Sequence, residues 1–213
     1  MEEKKFIRLK KDEYGIKEFV KKTLGKGRIS NVTIEYTPVG EKIIVSTTRP
    51  GYVIGRRGER IIKLTETLKK RFDLENPHIE MQEITKPEFD AQSIADSLAL
   101  GLERFGNLRF KSLAYNMLKR VMNAGALGVE IRLSGRLPSE RSRSWRFAQG
   151  YLKKTGDTAK IVGKAQTVSL TKPGITGIKV SILAPDKKIH DNIEIDEELK
   201  SKINRSIIEE DKK

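Results

Sequence analysis

Apolar positions in the first part of the chain switch repeatedly between helical and strand spacing. Ile16, Phe19, Val20 and Leu24 recur at helical intervals, and Gly25-Lys26-Gly27 stops that helix. Val32, Ile34 and Tyr36 then alternate as a strand, Pro38-Val39-Gly40 reads as a turn, and Lys42–Thr48 is a second, β-branched strand. Pro50-Gly51 breaks the chain before a short apolar stretch, Tyr52-Val53-Ile54, which leads into Gly55-Arg56-Arg57-Gly58. Ile61, Leu64, Leu68 and Phe72 follow at helical spacing, and Pro77 admits a third strand, His78–Ile84. The predicted order is helix, strand, strand, short helix, Gly-x-x-Gly, helix, strand.

Lys86-Pro87 reads as a hinge, because the residue before proline resists helix. Two helices are predicted after it. Phe89–Phe105 turns Ile94, Leu98, Leu102 and Phe105 inward, and Arg109–Asn123 carries Phe110, Leu113, Ala114, Met117, Leu118, Val121 and Met122 in a regular stripe that reads as core. Gly125 ends the second helix. Leu127, Val129, Ile131 and Leu133 alternate with Glu130 and Arg132 as a strand. Further strands are predicted at Ser144–Tyr151, Ala159–Leu170 and Gly177–Ala184. The fold class is therefore α+β, with helices packed on an antiparallel sheet in the second unit. Residues 1–86 and 87–185 form the two predicted domains, and residues 186–213 a polar tail in which Ile203, Ile207 and Ile208 suggest a weak helix.

Charge changes the picture from fold to partner. The 213 residues carry 43 Lys and Arg against 29 Asp and Glu, a net charge of +14, while the tail is slightly acidic. Arg49–Arg71 holds eight basic and two acidic residues, and Arg104–Lys164 fourteen against three. One basic run is what an ordinary solvated helix face looks like, but two separate windows point to a polyanion. No apolar run approaches the ~18 residues of a membrane span, and the charged N-terminus does not read as a secretory signal. With no cysteine there is no disulfide framework, thiolate zinc site or cysteine nucleophile, which suits a reducing cytoplasm. Two isolated histidines make no metal site, and no cofactor is called for.

The Gly-x-x-Gly pair is a weak motif alone, and its setting makes it informative. It lies between two helical pieces, with arginine at both intervening positions, in the element order of a type II KH domain. Gly55 and Gly58 lack a Cβ, so the backbone there can approach a ribose-phosphate chain. The helix beginning at Glu59 points its N–H groups and positive dipole end the same way, and Arg56 and Arg57 add phosphate forks. Such a loop holds about four single-stranded nucleotides. Val53, Ile54 and Ile61 would floor the groove, with Arg49, Arg60 and Lys63 beside it as further RNA-binding candidates. No Gly-Lys-Ser/Thr follows for a Walker A loop, and no third glycine completes a dinucleotide fingerprint.

Four segments, in order, resemble the family of small ribosomal subunit protein S-three, in its archaeal and eukaryotic branch. They are Arg49–Gly58, Lys86–Gln92, Gly125–Glu130 with Leu133-Ser134-Gly135-Arg136-Leu137, and Gly174–Ile182. The resemblance implies an N-terminal type II KH domain and a C-terminal α+β domain. It implies a structural place in the head of the small ribosomal subunit, contact with ribosomal RNA and neighbouring head proteins, and a KH face near the channel through which mRNA enters. It places Arg136, Arg141, Arg143 and Arg146 on an RNA-facing edge. The bacterial branch carries basic residues on the helix equivalent to Phe110–Asn123 that are linked to mRNA unwinding; the matching positions are Lys111, Ser112 and Tyr115, of which only Lys111 is basic. Carboxylates are sparse between Asp90 and Asp157, so the chain does not read as an enzyme. The alternative is a free-standing KH regulator of mRNA. Trp145, set among arginines, is predicted to pack into the core with Phe147 and Tyr151, not to stack on a base.

Overall fold

A computed structural model describes residues 2–187 apart from 39, 73 and 75. The tail helix suggested at Ile203, Ile207 and Ile208 lies outside the described residues. Helix α1 spans Glu2–Leu24, far longer than the run beginning at Ile16 that its apolar spacing predicts. Ile16, Val20 and Leu24 are buried, whereas Phe6, Ile7 and Leu9 are exposed. Lysine, glutamate and arginine are strong helix formers, and Lys10 pairs with Glu13 one turn on at 3.0 Å. The early turns are thus helical without an apolar face to reveal them.

Strands β1 (Asn31–Thr37) and β2 (Gly40–Thr47) form an antiparallel hairpin, and β3 (His78–Glu83) joins β2 in parallel. Parallel pairing needs a crossover, which α2 (Pro50–Ile54) and α3 (Glu59–Phe72) supply. Ile16, Val20, Leu24, Val32, Ile43, Val45, Val53, Leu64 and Leu68 close this first core.

A single turn, Pro87–Phe89, leads into α4 (Ala91–Phe105), and Asp90 caps it by accepting from the Ser93 N–H at 2.9 Å. Helix α5 (Phe110–Asn123) ends at Gly125, whose φ of 97° is the left-handed conformation that glycine takes readily. Strands β4 (Gly128–Gly135), β5 (Arg143–Gly150), β6 (Gly163–Thr171) and β7 (Gly174–Leu183) form one antiparallel sheet in the order β5-β4-β7-β6. Both helices cover one face of it. Phe110, Ala114, Leu118 and Val121 meet Val129, Ile131, Leu133, Phe147, Ile178, Val180 and Ile182 there.

Several predicted positions shift. Phe105 is exposed, because α4 ends at it and Gly106 turns the chain away. Leu127 is also exposed and precedes the strand, while Glu130, on the opposite parity, is buried. The predicted strand at Ala159–Leu170 begins only at Gly163; Asp157–Lys160 is a helical turn. Trp145 is half-buried against the core, with its ring centroid 5.3 Å from that of Phe110, and Phe147 is buried, but Tyr151 lies past the strand and is exposed.

Polar contacts join the two units. In the loop after α1, the Gly27 N–H donates to Asp96 Oδ2 at 2.9 Å. The ammonium of Lys26 donates to the Val168 carbonyl at 2.8 Å and lies 3.5 Å from Glu103. Asp96, on α4, is buried and also accepts from Gln92 Nε2 at 2.9 Å and Thr167 Oγ1 at 2.7 Å.

Candidate nucleic-acid interface

The backbone of the Gly-x-x-Gly loop is what its residues demand. Helix α2 closes with the Gly55 N–H donating to the Gly51 carbonyl at 3.1 Å. Gly55 then adopts φ 75° and ψ −177°, a conformation essentially confined to glycine. A Cβ at this position would stand 2.8 Å from Arg60 Cγ, so the side-chain packing excludes it as well. Arg57 (φ 52°) and Gly58 (φ 75°) are also left-handed, and the turn releases the chain into α3 with Arg56 and Arg57 exposed.

The cations around this loop divide into two kinds. Arg60 Nη1 donates to the Tyr52 carbonyl at 2.9 Å, bracing α3 against α2, and Lys63 pairs with Glu59 on the next turn back. That ammonium holds the Glu59 carboxyl below its ordinary range, so α3 begins with a carboxylate beside the loop. The side chains of Arg49, Arg56 and Arg57 have no hydrogen-bond or ion-pair partner among the described residues and are exposed. Of the predicted groove floor, Val53 is fully buried, Ile61 half-buried and Ile54 at the surface.

The four C-terminal arginines do not share one edge. Arg136, Arg141 and Arg143 cluster where β4 leaves the sheet and β5 enters it, with Arg143 paired in register to Gly135. The Arg136 carbonyl accepts from Asn107 Nδ2 at 2.8 Å, anchoring this end to the α4–α5 connection. Arg146 takes the opposite parity and lies on the sheet face opposite α4 and α5, 3.1 Å from Glu130. Lys111 projects from α5 with its ammonium 4.7 Å from the centre of the Trp145 ring. The lysine thus occupies a face of that ring, and a base could not stack there without displacing it.

Sequence reasoning missed the surroundings of Glu130. Arg132 and Lys154 join Arg146 on its carboxylate, with Lys154 at 2.9 Å. Burial pushes the Glu130 carboxyl up, but hydrogen bonds from Lys154, Arg146 and Arg132 outweigh that and hold it at about 2. The available signal was parity: Arg132 and Glu130 lie on the same side of β4, away from its apolar residues.

The first unit is a type II KH domain by its element order and sheet pairing, and it precedes an α+β domain with a cationic sheet face. The KH domain family model matches residues 15–89, and the model described as Ribosomal protein S3, C-terminal domain, matches residues 99–182. Small ribosomal subunit protein uS3 of Methanocaldococcus jannaschii is 42% identical over 203 residues, covering 95% of this chain and 97% of its own length. The proteins of the same name from Methanosphaera stadtmanae and Methanococcus maripaludis are 38% and 37% identical, each over 92% of this chain and over 78% and 92% of their own lengths. The chain belongs to the uS3 family of small ribosomal subunit proteins, whose members are structural components and not enzymes.

Proposed function

We propose that the protein is a structural component of the head of the small ribosomal subunit in the cytoplasm. The C-terminal domain binds small-subunit ribosomal RNA and meets neighbouring head proteins. The KH loop faces RNA near the channel through which mRNA enters. The observation that carries this reading is the pair Arg56 and Arg57, held outward by left-handed glycines and free of protein partners among the described residues, on a chain that matches uS3 relatives over 92–95% of its length. The domains divide the work: Arg136, Arg141 and Arg143 supply a fixed cationic end against folded RNA, and the loop engages a mobile strand.

Replacing Arg56 and Arg57 by aspartate should leave the fold intact and weaken binding to single-stranded RNA. Loss of two phosphate contacts lowers the salt dependence of log Kobs by about 1.4. The wild-type protein should also cosediment with small subunits at moderate salt. An unchanged slope would show that the arginines face something else. Sequence-selective binding to mRNA without cosedimentation would favour a free-standing regulator.

A further inference from the structure

We propose that the face of the four-stranded sheet opposite α4 and α5 is a phosphate-binding platform for the backbone of folded RNA. Strand register sets it out. Arg132 on β4 stands directly opposite Arg146 on β5 and Lys179 on β7, so three cations cross three adjacent strands in one row. Lys164 on β6 lies opposite Ser181, which pairs on its other side with Glu130. Lys153 and Lys154 arrive from the segment after β5, and one concavity is lined by Glu130, Arg132, Lys153, Lys154, Lys164 and Lys179.

Like charges directly opposed across strands are destabilising, so such a row needs a compensating anion. The protein supplies one carboxylate. Glu130 is 5% exposed and takes Arg132, Arg146 and Lys154, which remain about half-exposed themselves. Its contacts use Nε of Arg132 and Nη2 of Arg146, leaving other guanidinium N–H groups of both arginines for an outside acceptor. Glu130 is therefore a positioning residue that fixes three long side chains in place. Lys164 and Lys179 are exposed and have no ion-pair partner among the described residues. The cluster keeps a large positive excess on an open surface, with neighbouring strands ~4.8 Å apart. That geometry suits successive phosphates along a backbone better than one enclosed small anion.

This inference rests on the ribosomal reading above, and its test separates the two. The full-length K164A/K179A variant removes two unpaired surface ammoniums, and its melting temperature should match the parent's. Binding to a transcript of the head domain of small-subunit ribosomal RNA is measured across a salt series, with K21A/K22A on α1, outside both basic windows, as a charge-matched control. The parent should bind the transcript in preference to competitor RNA. K164A/K179A should lower the salt slope by roughly 1.4–1.8, at ~0.7–0.9 per contact, while K21A/K22A leaves it unchanged. If the parent binds and both variants lower the slope equally, the platform is refuted and the ribosomal reading stands. The platform is equally refuted if K164A/K179A binds RNA like the parent, or if it loses only a ribosomal protein partner. A parent that shows no preference for the transcript removes both.

Discussion

Asp96 gives the sharpest test of how the two domains are held. Its carboxylate is 5% exposed and accepts from a backbone N–H of the KH domain, Gly27, and from Gln92 and Thr167 of the C-terminal domain. Replacing it with alanine takes the acceptor from three donors. Gln92 Nε2 still donates to Thr167 Oγ1 at 3.0 Å, and the Thr167 hydroxyl, its acceptor lost, is free to rotate, so these two side chains keep one bond. The Gly27 N–H does not. Gly27 is exposed, so water can take up its N–H and the loss there is about 1 kcal/mol, while loss of the charge-assisted bonds to the other two adds about 1–2. The total is about 2–3 kcal/mol. D96A should therefore loosen the domain junction before it damages either core. Chemical denaturation should show the stability loss, and amide exchange should show Gly27 opening much faster while Ile43 and Ile131 remain protected. Unchanged exchange at Gly27 would refute the idea that Asp96 holds the domains together.

Two further outcomes follow from local geometry. Gly55→Ala should destabilise the KH domain by about 2–3 kcal/mol and Gly58→Ala by only about 1, since a Cβ at Gly58 meets nothing within 4 Å whereas one at Gly55 meets Arg60; thermal melts of both variants check the order. The Glu130 carboxyl lies at about 2 when folded and near the ordinary ~4.3 when unfolded, so its stabilisation is full above the unfolded value and is lost as pH falls through the folded one. Acid titration of stability should show up to about 3 kcal/mol disappearing between roughly pH 5 and 2, and a Glu130→Gln variant should lack that component.

Legibility in the sequence follows how local the cause is. Buried stripes were readable because burial repeats with the period of the element: Leu64 and Leu68 on α3, and Val129, Ile131 and Leu133 on β4, fall where spacing puts them. The Gly-x-x-Gly turn was readable because its conformation belongs to glycine itself. The first turns of α1 were not, since a helix stabilised by propensity and charge pairs leaves no apolar period. The family resemblance groups Arg146 with Arg136, Arg141 and Arg143, yet strand parity turns it to the opposite face. The cationic row was invisible for a related reason. Arg132, Arg146 and Lys179 meet only through the pairing β5-β4-β7, and no local pattern states which strands are neighbours.

The scarcity of carboxylates in the C-terminal domain reads in the sequence as the lack of an enzyme's acid and base, and the structure shows what the few that exist are for. Asp90 caps α4, and Glu88 pairs with Arg120 at 2.8 Å. Glu103 accepts from the Leu170 N–H at 3.0 Å beside Lys26. Asp96 ties the KH loop after α1 to β6, and Glu130 gathers three cations. Each of these five acids fixes a joint or a group of cations, whereas Glu140 and Asp157 stay at the surface. This is the arrangement a polyanion-binding protein requires, because carboxylates scattered over its surface would repel the ligand, while a few buried ones hold the basic side chains at set positions before it arrives. Glu130 and Asp96 do this at different scales: one orders side chains within a sheet face, and the other ties the loop after α1 to α4 and β6.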